Sequence, residues 1–387
     1  MSWSAAESLH RAIKDERREP KSAAHLARTI EDRMFAMCAQ GGVVLGSQSM
    51  LAAHFGVGRA VVREAIRILE ARGSIRTSRG PHGGVIVATP DERATVRNAV
   101  QYFQLVCVDR HRIAEADAEL RAILSGAQGD RFASHCAFKL YAQIVATMLE
   151  AAPDTAAAAR SRTRAERLAY ELAERIRREH LATGERLGAE DALCDTYGVS
   201  RLVLRQAIRI LESVGLVSSE RGRGRGVVVS TPGPFALINL THVYFAAHRL
   251  NADDTKTLLR RLNVVNARLA ALHVDASGRI EIARLRDKLA ARRHADPLVW
   301  LEAPQLISKI AGNVCIDAFA RCLVAYLARA HPEKSVMSAG LSAEVAELFS
   351  SVLAAVATGD PSVAERAQFE MQDAVRALFA RKDAARA

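Results

Sequence analysis

Gly56-Val57-Gly58-Arg59 and the residues onward to Glu70 return 142 positions later as Gly198-Val199-Ser200-Arg201 onward to Glu212. Between Gly56–Ile75 and Gly198–Val217, twelve of twenty positions are identical, among them Arg59/Arg201, Arg63/Arg205, the run Ala-Ile-Arg-Ile-Leu-Glu and Gly73/Gly215. Self-similarity at a fixed offset restricts the chain to folds built from two like units. The repeated words read as two apolar-periodic helices around a glycine-containing turn, with arginines four residues apart on the second. That is the pattern of a helix-turn-helix.

The same offset extends in both directions without a gap. Leu26-Ala27 answers Leu168-Ala169, Leu45-Gly46 answers Leu187-Gly188, Thr89-Pro90 answers Thr231-Pro232, and Tyr102-Phe103 answers Tyr244-Phe245. Each copy opens with an amphipathic helix, as in the spacing of Leu168, Leu172 and Ile176. Each closes with a glycine-rich turn between β-branched residues, over Ile75–Val87 and Val217–Val229, which predicts a β-hairpin. Three helices and a hairpin make a winged helix, its wing at Arg76–Gly84 in one copy and Ser218–Gly226 in the other.

These features predict a mainly α chain. It comprises two winged helix-turn-helix domains of three helices and a small wing each, a short helical insert, and a C-terminal antiparallel helical bundle. The expected boundaries are 1–90, 91–160, 161–232 and 233–387. The insert ends in the Ala-rich run after Glu150, which reads as a linker.

A length of 387 residues accommodates such a division, and 49% hydrophobic with 25% charged residues is ordinary for a globular protein. A net charge of +11 favours a polyanionic partner, since basic surface releases counterions from phosphate backbones. Six scattered cysteines form no Cys-x-x-Cys pair, which argues for a reducing compartment rather than a zinc ribbon or disulfide framework. The first twenty residues lack the apolar run of a secretory signal, and no stretch resembles a membrane span. A cytoplasmic location is expected.

Within the second copy, Ser200 stands where a helix N-cap would, and Leu204, Ala207, Ile208 and Leu211 form the stripe expected to be buried. Arg201, Arg205 and Arg209 fall on another face, as do Arg59, Arg63 and Arg67 in the first copy. A planar guanidinium fork can grip a guanine edge or a phosphate with two hydrogen bonds. The bland alternative is that these arginines are merely solvated, or paired with Glu64, Glu70 and Glu212. Repetition of the pattern beside a wing favours DNA.

The motif Gly-Val-Ser-Arg-x-x-x-Arg-x-Ala-Ile-x-x-Leu-Glu-x-x-Gly-Leu-Val resembles the winged helix of the GntR family of bacterial transcriptional regulators, in its FadR-like branch. The resemblance covers about Ser22–Pro90 and Thr163–Pro232. It implies that Arg59 and Arg63, or Arg201 and Arg205, contact operator bases, and that wing residues approach the minor groove. The DNA-binding set expected on this basis is Arg59, Arg63, Arg67, His82, Gly83 and Gly84 with Arg201, Arg205, Arg209, Arg221, Arg223 and Arg225. The chain also departs from the family. Where an early Glu-Arg is usual, it has Gln48-Ser49 and Glu190-Asp191, and Asp191 would repel a phosphate. Ala60 and Leu202 replace a small polar residue, and Gly58 replaces the capping serine.

The C-terminal segment resembles the family's effector domain through Ala311-Gly-Asn313 and Ala357-Thr-Gly-Asp360. Where that resemblance would put metal-binding histidines stand Pro304 or Gln305, Leu348 or Phe349, and Met371. No metal site and no cofactor is expected, and His294 and His331 have no ligand-like spacing. The expected partners are double-stranded DNA and an organic effector at the bundle. Either a homodimer or a single-chain pseudo-dimer fits the two heads, and relatives with one head per chain meet half-sites roughly 34–36 Å apart. A regulator, a repressor among its forms, is the leading reading. A protein-interaction or architectural module with repurposed heads is the second, motivated by Ser49, Asp191 and Leu202. An enzyme is not expected, because no P-loop, metal cluster or nucleophile motif is present.

Overall fold

The computed structural model describes residues 23–36, 42–71, 73–78, 84–88, 91–106, 108–126, 129–150, 163–219, 226–230, 235–292, 301–330 and 339–384. They form a mainly helical chain with two small antiparallel sheets. The first head runs α1 (Ala23–Ala36), β1 (Val44–Gly46), α2 (Gln48–Phe55), α3 (Arg59–Ala71), β2 (Ile75–Ser78) and β3 (Gly84–Val87). Helices α4 (Glu92–Leu105), α5 (Arg110–Ser125), α6 (Gly129–Ser134) and α7 (Cys136–Glu150) follow. The second head runs α8 (Arg164–Arg178), β4 (Arg186–Gly188), α9 (Glu190–Tyr197), α10 (Arg201–Ser213), β5 (Val217–Ser219) and β6 (Val227–Val229). Beyond it lie α11 (Phe235–Ala247), α12 (Ala252–His273), α13 (Ala276–Arg292), α14 (Glu302–Ala311), α15 (Val314–Ala330), α16 (Ala339–Ala357) and α17 (Pro361–Ala384).

Local chemistry accounts for the turns. Gly56 and Gly198 end α2 and α9 in the left-handed region, at φ 63° and 57°, where a residue with a Cβ is strained. Each glycine lets the chain reverse into the next helix within two further residues. At the start of α8, Thr163 accepts from the Glu166 amide while the Glu166 carboxylate accepts from the Thr163 amide, a reciprocal capping box.

Both hairpins pair antiparallel, Ile75 opposite Val87 and Val217 opposite Val229. A strand not read in the sequence completes each sheet: β1 and β4 join the far edge, giving the orders β1-β3-β2 and β4-β6-β5. The glycines at the start of β3 and β6 serve this third strand. A Cβ on Gly84 would stand 2.8 Å from the Gly46 carbonyl oxygen, and one on Gly226 would overlap the Gly188 carbonyl. The sheet closes only because those side chains are missing.

The first head buries Leu26, Ile30, Val62, Ile66, Leu69 and Val85 in one cluster. The second buries Leu168, Leu172, Leu204, Ile208, Leu211 and Val229. At about 1.5–3 kcal/mol for each large apolar side chain taken out of water, these stripes hold the helices to their sheets.

The chain divides into two compact units. One unites Glu19–Arg110 with Gln143–His248, and so contains both heads. Within it α4 packs on α11, the helices that follow the two wings. The heads are seated crosswise on that pair. From α1, the fully buried Glu31 accepts from Asn239 of α11 at 2.9 Å and from Ser74 at 2.8 Å. From α8, the Tyr170 hydroxyl donates to Gln104 of α4 at 2.7 Å. Tyr244 of α11 donates to Glu92 of α4 at 2.8 Å.

The other unit joins His111–Ala142 to Arg249–Ala387, around the long helix α12. Tyr141 of α7 stacks on Phe319 of α15, ring centroids 4.0 Å apart, and donates to the Phe319 carbonyl. Asn313, in the Ala-Gly-Asn turn, caps α15 through the Ile316 amide and donates to Glu115 of α5 at 2.8 Å. Glu119 of α5 pairs with Arg268 of α12. Helices α5 and α6 of the insert thus belong to the bundle unit.

Candidate nucleic-acid interface

Each head presents its second helix-turn-helix helix, α3 or α10, with one face in the core and the other in solvent. The burial of Val62, Ala65, Ile66 and Leu69 in α3, and of Leu204, Ala207, Ile208 and Leu211 in α10, fixes which face is free. Arg59, Arg63 and Arg67 are exposed on the free face of α3, and Arg201 and Arg205 on that of α10. Ser200 caps α10, its hydroxyl accepting from the Val203 amide at 3.4 Å. In the first head the cap lies one helix earlier: Ser47 accepts from the Met50 amide at the start of α2, where the second head has Ala189 with no side-chain cap.

The surroundings of the arginines differ between heads. Arg59 and Arg63 carry no ion pair with any described residue. Arg201 contacts Asp191 with its terminal nitrogen Nη2 at 2.8 Å, and Arg205 donates from Nε to Glu190 at 3.0 Å. Both acids come from the start of α9, where the first head has Gln48 and Ser49. These pairs are exposed, so each contributes only on the order of 0–1 kcal/mol to stability.

Arg209 is not a free member of the set. It bonds Glu64 of α3, which also pairs with Arg67 at 3.5 Å. One carboxylate on α3 therefore ties that helix to α10. A side-chain ion pair limits the separation of two helices to the reach of two side chains, far below the roughly 34 Å of successive helical turns of DNA.

Glu70 and Glu212 have another task. Glu70 accepts from the Thr77 amide at 3.0 Å and from its hydroxyl at 2.6 Å. Glu212 accepts from the Ser219 amide at 2.9 Å. Each fastens its helix, α3 or α10, to the first strand of the adjoining hairpin. Burial pushes the Glu212 carboxyl above its ordinary value, against the opposing pull of the Ser219 hydrogen bonds.

Of the wing residues, Gly84 lies at the start of β3, where close backbone packing demands it. His82, Gly83, Arg221, Arg223 and Arg225 fall outside the described residues, as does the linker after Glu150. Leu202 stands 66% exposed beside Arg201, an apolar contact surface on the free face. Sequence reasoning named the arginines and the repulsive Asp191, but not the pairing of Glu190 and Asp191 with them.

In the bundle unit a cavity of about 300 Å³ opens between α5, α6, α12 and α17. Its wall combines Ile123, Phe132 and Val264 with Glu119, Arg261 and Arg268. The Arg261 guanidinium lies 5.1 Å over the Phe369 ring. No group of three or more His, Cys, Asp or Glu side chains comes together as metal ligands among the described residues. No helix among them is long and apolar enough to cross a membrane.

Residues 164–227 match the family model described as bacterial regulatory proteins, gntR family. The HTH-type transcriptional regulator LutR of Bacillus subtilis (strain 168) is 26% identical over 114 residues, 30% of this chain and 50% of LutR. The Exu regulon transcriptional regulator of Escherichia coli (strain K12) is 31% identical over 115 residues, 24% of this chain and 45% of the relative. The chain spans about half the length of the curated relatives it matches. Among solved structures, Streptococcus agalactiae GntR superposes with a TM-score of 0.40 at 18% identity, over 55% of this chain and 99% of that one. Residues 164–227 are thus similar to the gntR family model, and the named relatives are transcriptional regulators.

Proposed function

We propose that the chain is a transcriptional regulator that reads one compact operator with two unequal winged-helix heads, paired within a single chain as two subunits pair in a dimer. The observation that carries this reading is the ion pair from Glu64 to Arg209, which brings two arginine-bearing recognition helices together. Crosswise seating supports the pseudo-dimer. The first head bonds the helix after the second wing, through Glu31 and Asn239, and the second head bonds the helix after the first, through Tyr170 and Gln104. Such reciprocity is how a two-fold interface is built. A two-part site read by this pair has its halves closer than one turn of DNA.

The DNA-binding set is Arg59, Arg63 and Arg67 from one head and Arg205 from the other, with Arg201 on the same face of α10 but engaged by Asp191. Arg209 serves the pairing of the heads. The cavity of the bundle unit suits an organic effector.

The test is selection from a random duplex pool by the full chain, followed by a footprint on the enriched DNA at two salt concentrations. Wild type, Arg63→Ala and Arg205→Ala are compared. One short protected site with two halves, each weakened by one variant, is the expected result. A salt-sensitive smear with no enriched sequence would sink the reading. It would favour an interaction module instead, the reading to which the Arg201–Asp191 pair also lends itself.

A further inference from the structure

The two acids at the start of α9 meet their arginines at different atoms, and the difference has chemical meaning. A guanidinium offers two donor edges for a base or phosphate, one made by Nε and Nη2 and one by Nη1 and Nη2. Glu190 takes Arg205 at Nε, at 3.0 Å. That hydrogen bond leaves the outer edge, Nη1 and Nη2, as an intact fork, and it fixes the plane in which the fork lies. Asp191 instead sits 2.8 Å from Nη2 of Arg201, the nitrogen that both edges share. A carboxylate there crowds either approach. Asp191 is also the more exposed acid, its side chain 70% accessible against 38% for Glu190, so it stands nearer to an arriving phosphate.

We infer that Glu190 is a positioning residue that aims Arg205 at a guanine edge, whereas Asp191 withholds Arg201 from DNA. This rests on the DNA-reading function proposed above. The second head then discriminates bases chiefly through one oriented arginine, and the first head, with Gln48 and Ser49 in place of the acids, presents both arginines with no charged partner among the described residues. Bare charge does not account for the division. If the acids only lowered the positive potential, removal of either would have the same effect, and the atom at which each meets its arginine would be irrelevant.

The experiment uses the full chain and the duplex enriched by wild type, with Glu190→Ala, Glu190→Gln, Asp191→Asn and Arg205→Ala. Affinity is measured over a salt series, and base preference by substituting each position of the second half-site. Asp191→Asn is expected to tighten binding about tenfold and to steepen the salt dependence by about one counterion, as a phosphate contact is gained. Glu190→Ala is expected to flatten preference at the one base pair that Arg205→Ala also flattens. Glu190→Gln, whose amide oxygen can still accept from Nε, is expected to restore that preference. The inference is overturned if Glu190→Ala and Glu190→Gln both tighten binding with preference intact, or if Asp191→Asn changes neither affinity nor salt slope. If neither wild type nor any variant enriches a sequence, the DNA-reading function itself fails, and this inference with it. Equal thermal midpoints for all the variants exclude misfolding as the cause.

Discussion

The two heads share a sheet order, a glycine turn and a glutamate that latches the wing, yet they treat their exposed arginines in opposite ways. In the first, Arg59 and Arg63 extend from α3 with no charged partner among the described residues. In the second, Arg201 and Arg205 are engaged by Asp191 and Glu190 of the preceding helix. The heads also differ in their seats: a buried carboxylate, Glu31, holds the first, and a neutral hydroxyl, Tyr170, the second. Scaffold and surface have separate requirements. The residues that set the fold recur at the same offset, while those that set the charge around the arginines do not.

The largest expected effect concerns the seats. Glu31→Ala leaves the Ser74 hydroxyl and the Asn239 amide without their acceptor, at a cost of about 3 kcal/mol. Tyr170→Phe removes one neutral hydrogen bond and costs about 1 kcal/mol. Denaturant unfolding of the two variants measures both, and equal losses would mean that the seats are equivalent after all.

Next in size is the contrast between arginines. Arg59→Ala is expected to weaken specific DNA binding by about 1–3 kcal/mol, the worth of a two-pronged base contact. Arg201→Ala, which removes a side chain already occupied by Asp191, is expected to cost less than a third of that. Competition binding on one duplex decides it, and matching losses would break the distinction between the heads.

A smaller effect separates the wing latches by pH. The Glu212 carboxyl is raised by burial, so between its ordinary value and its value in the fold the folded chain holds a proton that the unfolded chain has released. Its contribution is fully present below the ordinary glutamate value and declines as pH rises through the raised one. Glu212→Gln should remove that part of the slope in a series of unfolding curves, and an unchanged slope would exclude Glu212 as its source.

The smallest expected change is in stability of Glu64→Ala, about 0–1 kcal/mol, because the pairs it breaks are partly exposed. Its informative readout is the footprint. Untied recognition helices should tolerate one or two base pairs inserted between half-sites, an insertion that wild type rejects.

Much of this was legible in residue patterns. The apolar stripe of α10, the Ser200 cap and both hairpins follow from spacing alone, because helix and strand periods are local properties. The strands β1 and β4 were not, since three residues carry too little alternation; only the repeated Leu45-Gly46 and Leu187-Gly188 hinted at them. Asp191 was recognisable as an unfavourable charge toward DNA. That it would meet Arg201, and that Glu190 would meet Arg205 at another atom, depends on the angle between α9 and α10, which no linear pattern specifies. Glu31 was the least accessible of all, its partner Asn239 being 208 residues away.

The crosswise seating of the heads has one more consequence. Subunits that meet by diffusion separate on dilution, whereas partners on one chain face each other at a local concentration fixed by the chain itself. Their pairing is then independent of how many molecules a cell holds. A chain that carries two copies can also alter one alone, as Asp191 opposite Ser49 illustrates. On the function proposed above, an operator recognised by such a pair is freed from being a palindrome.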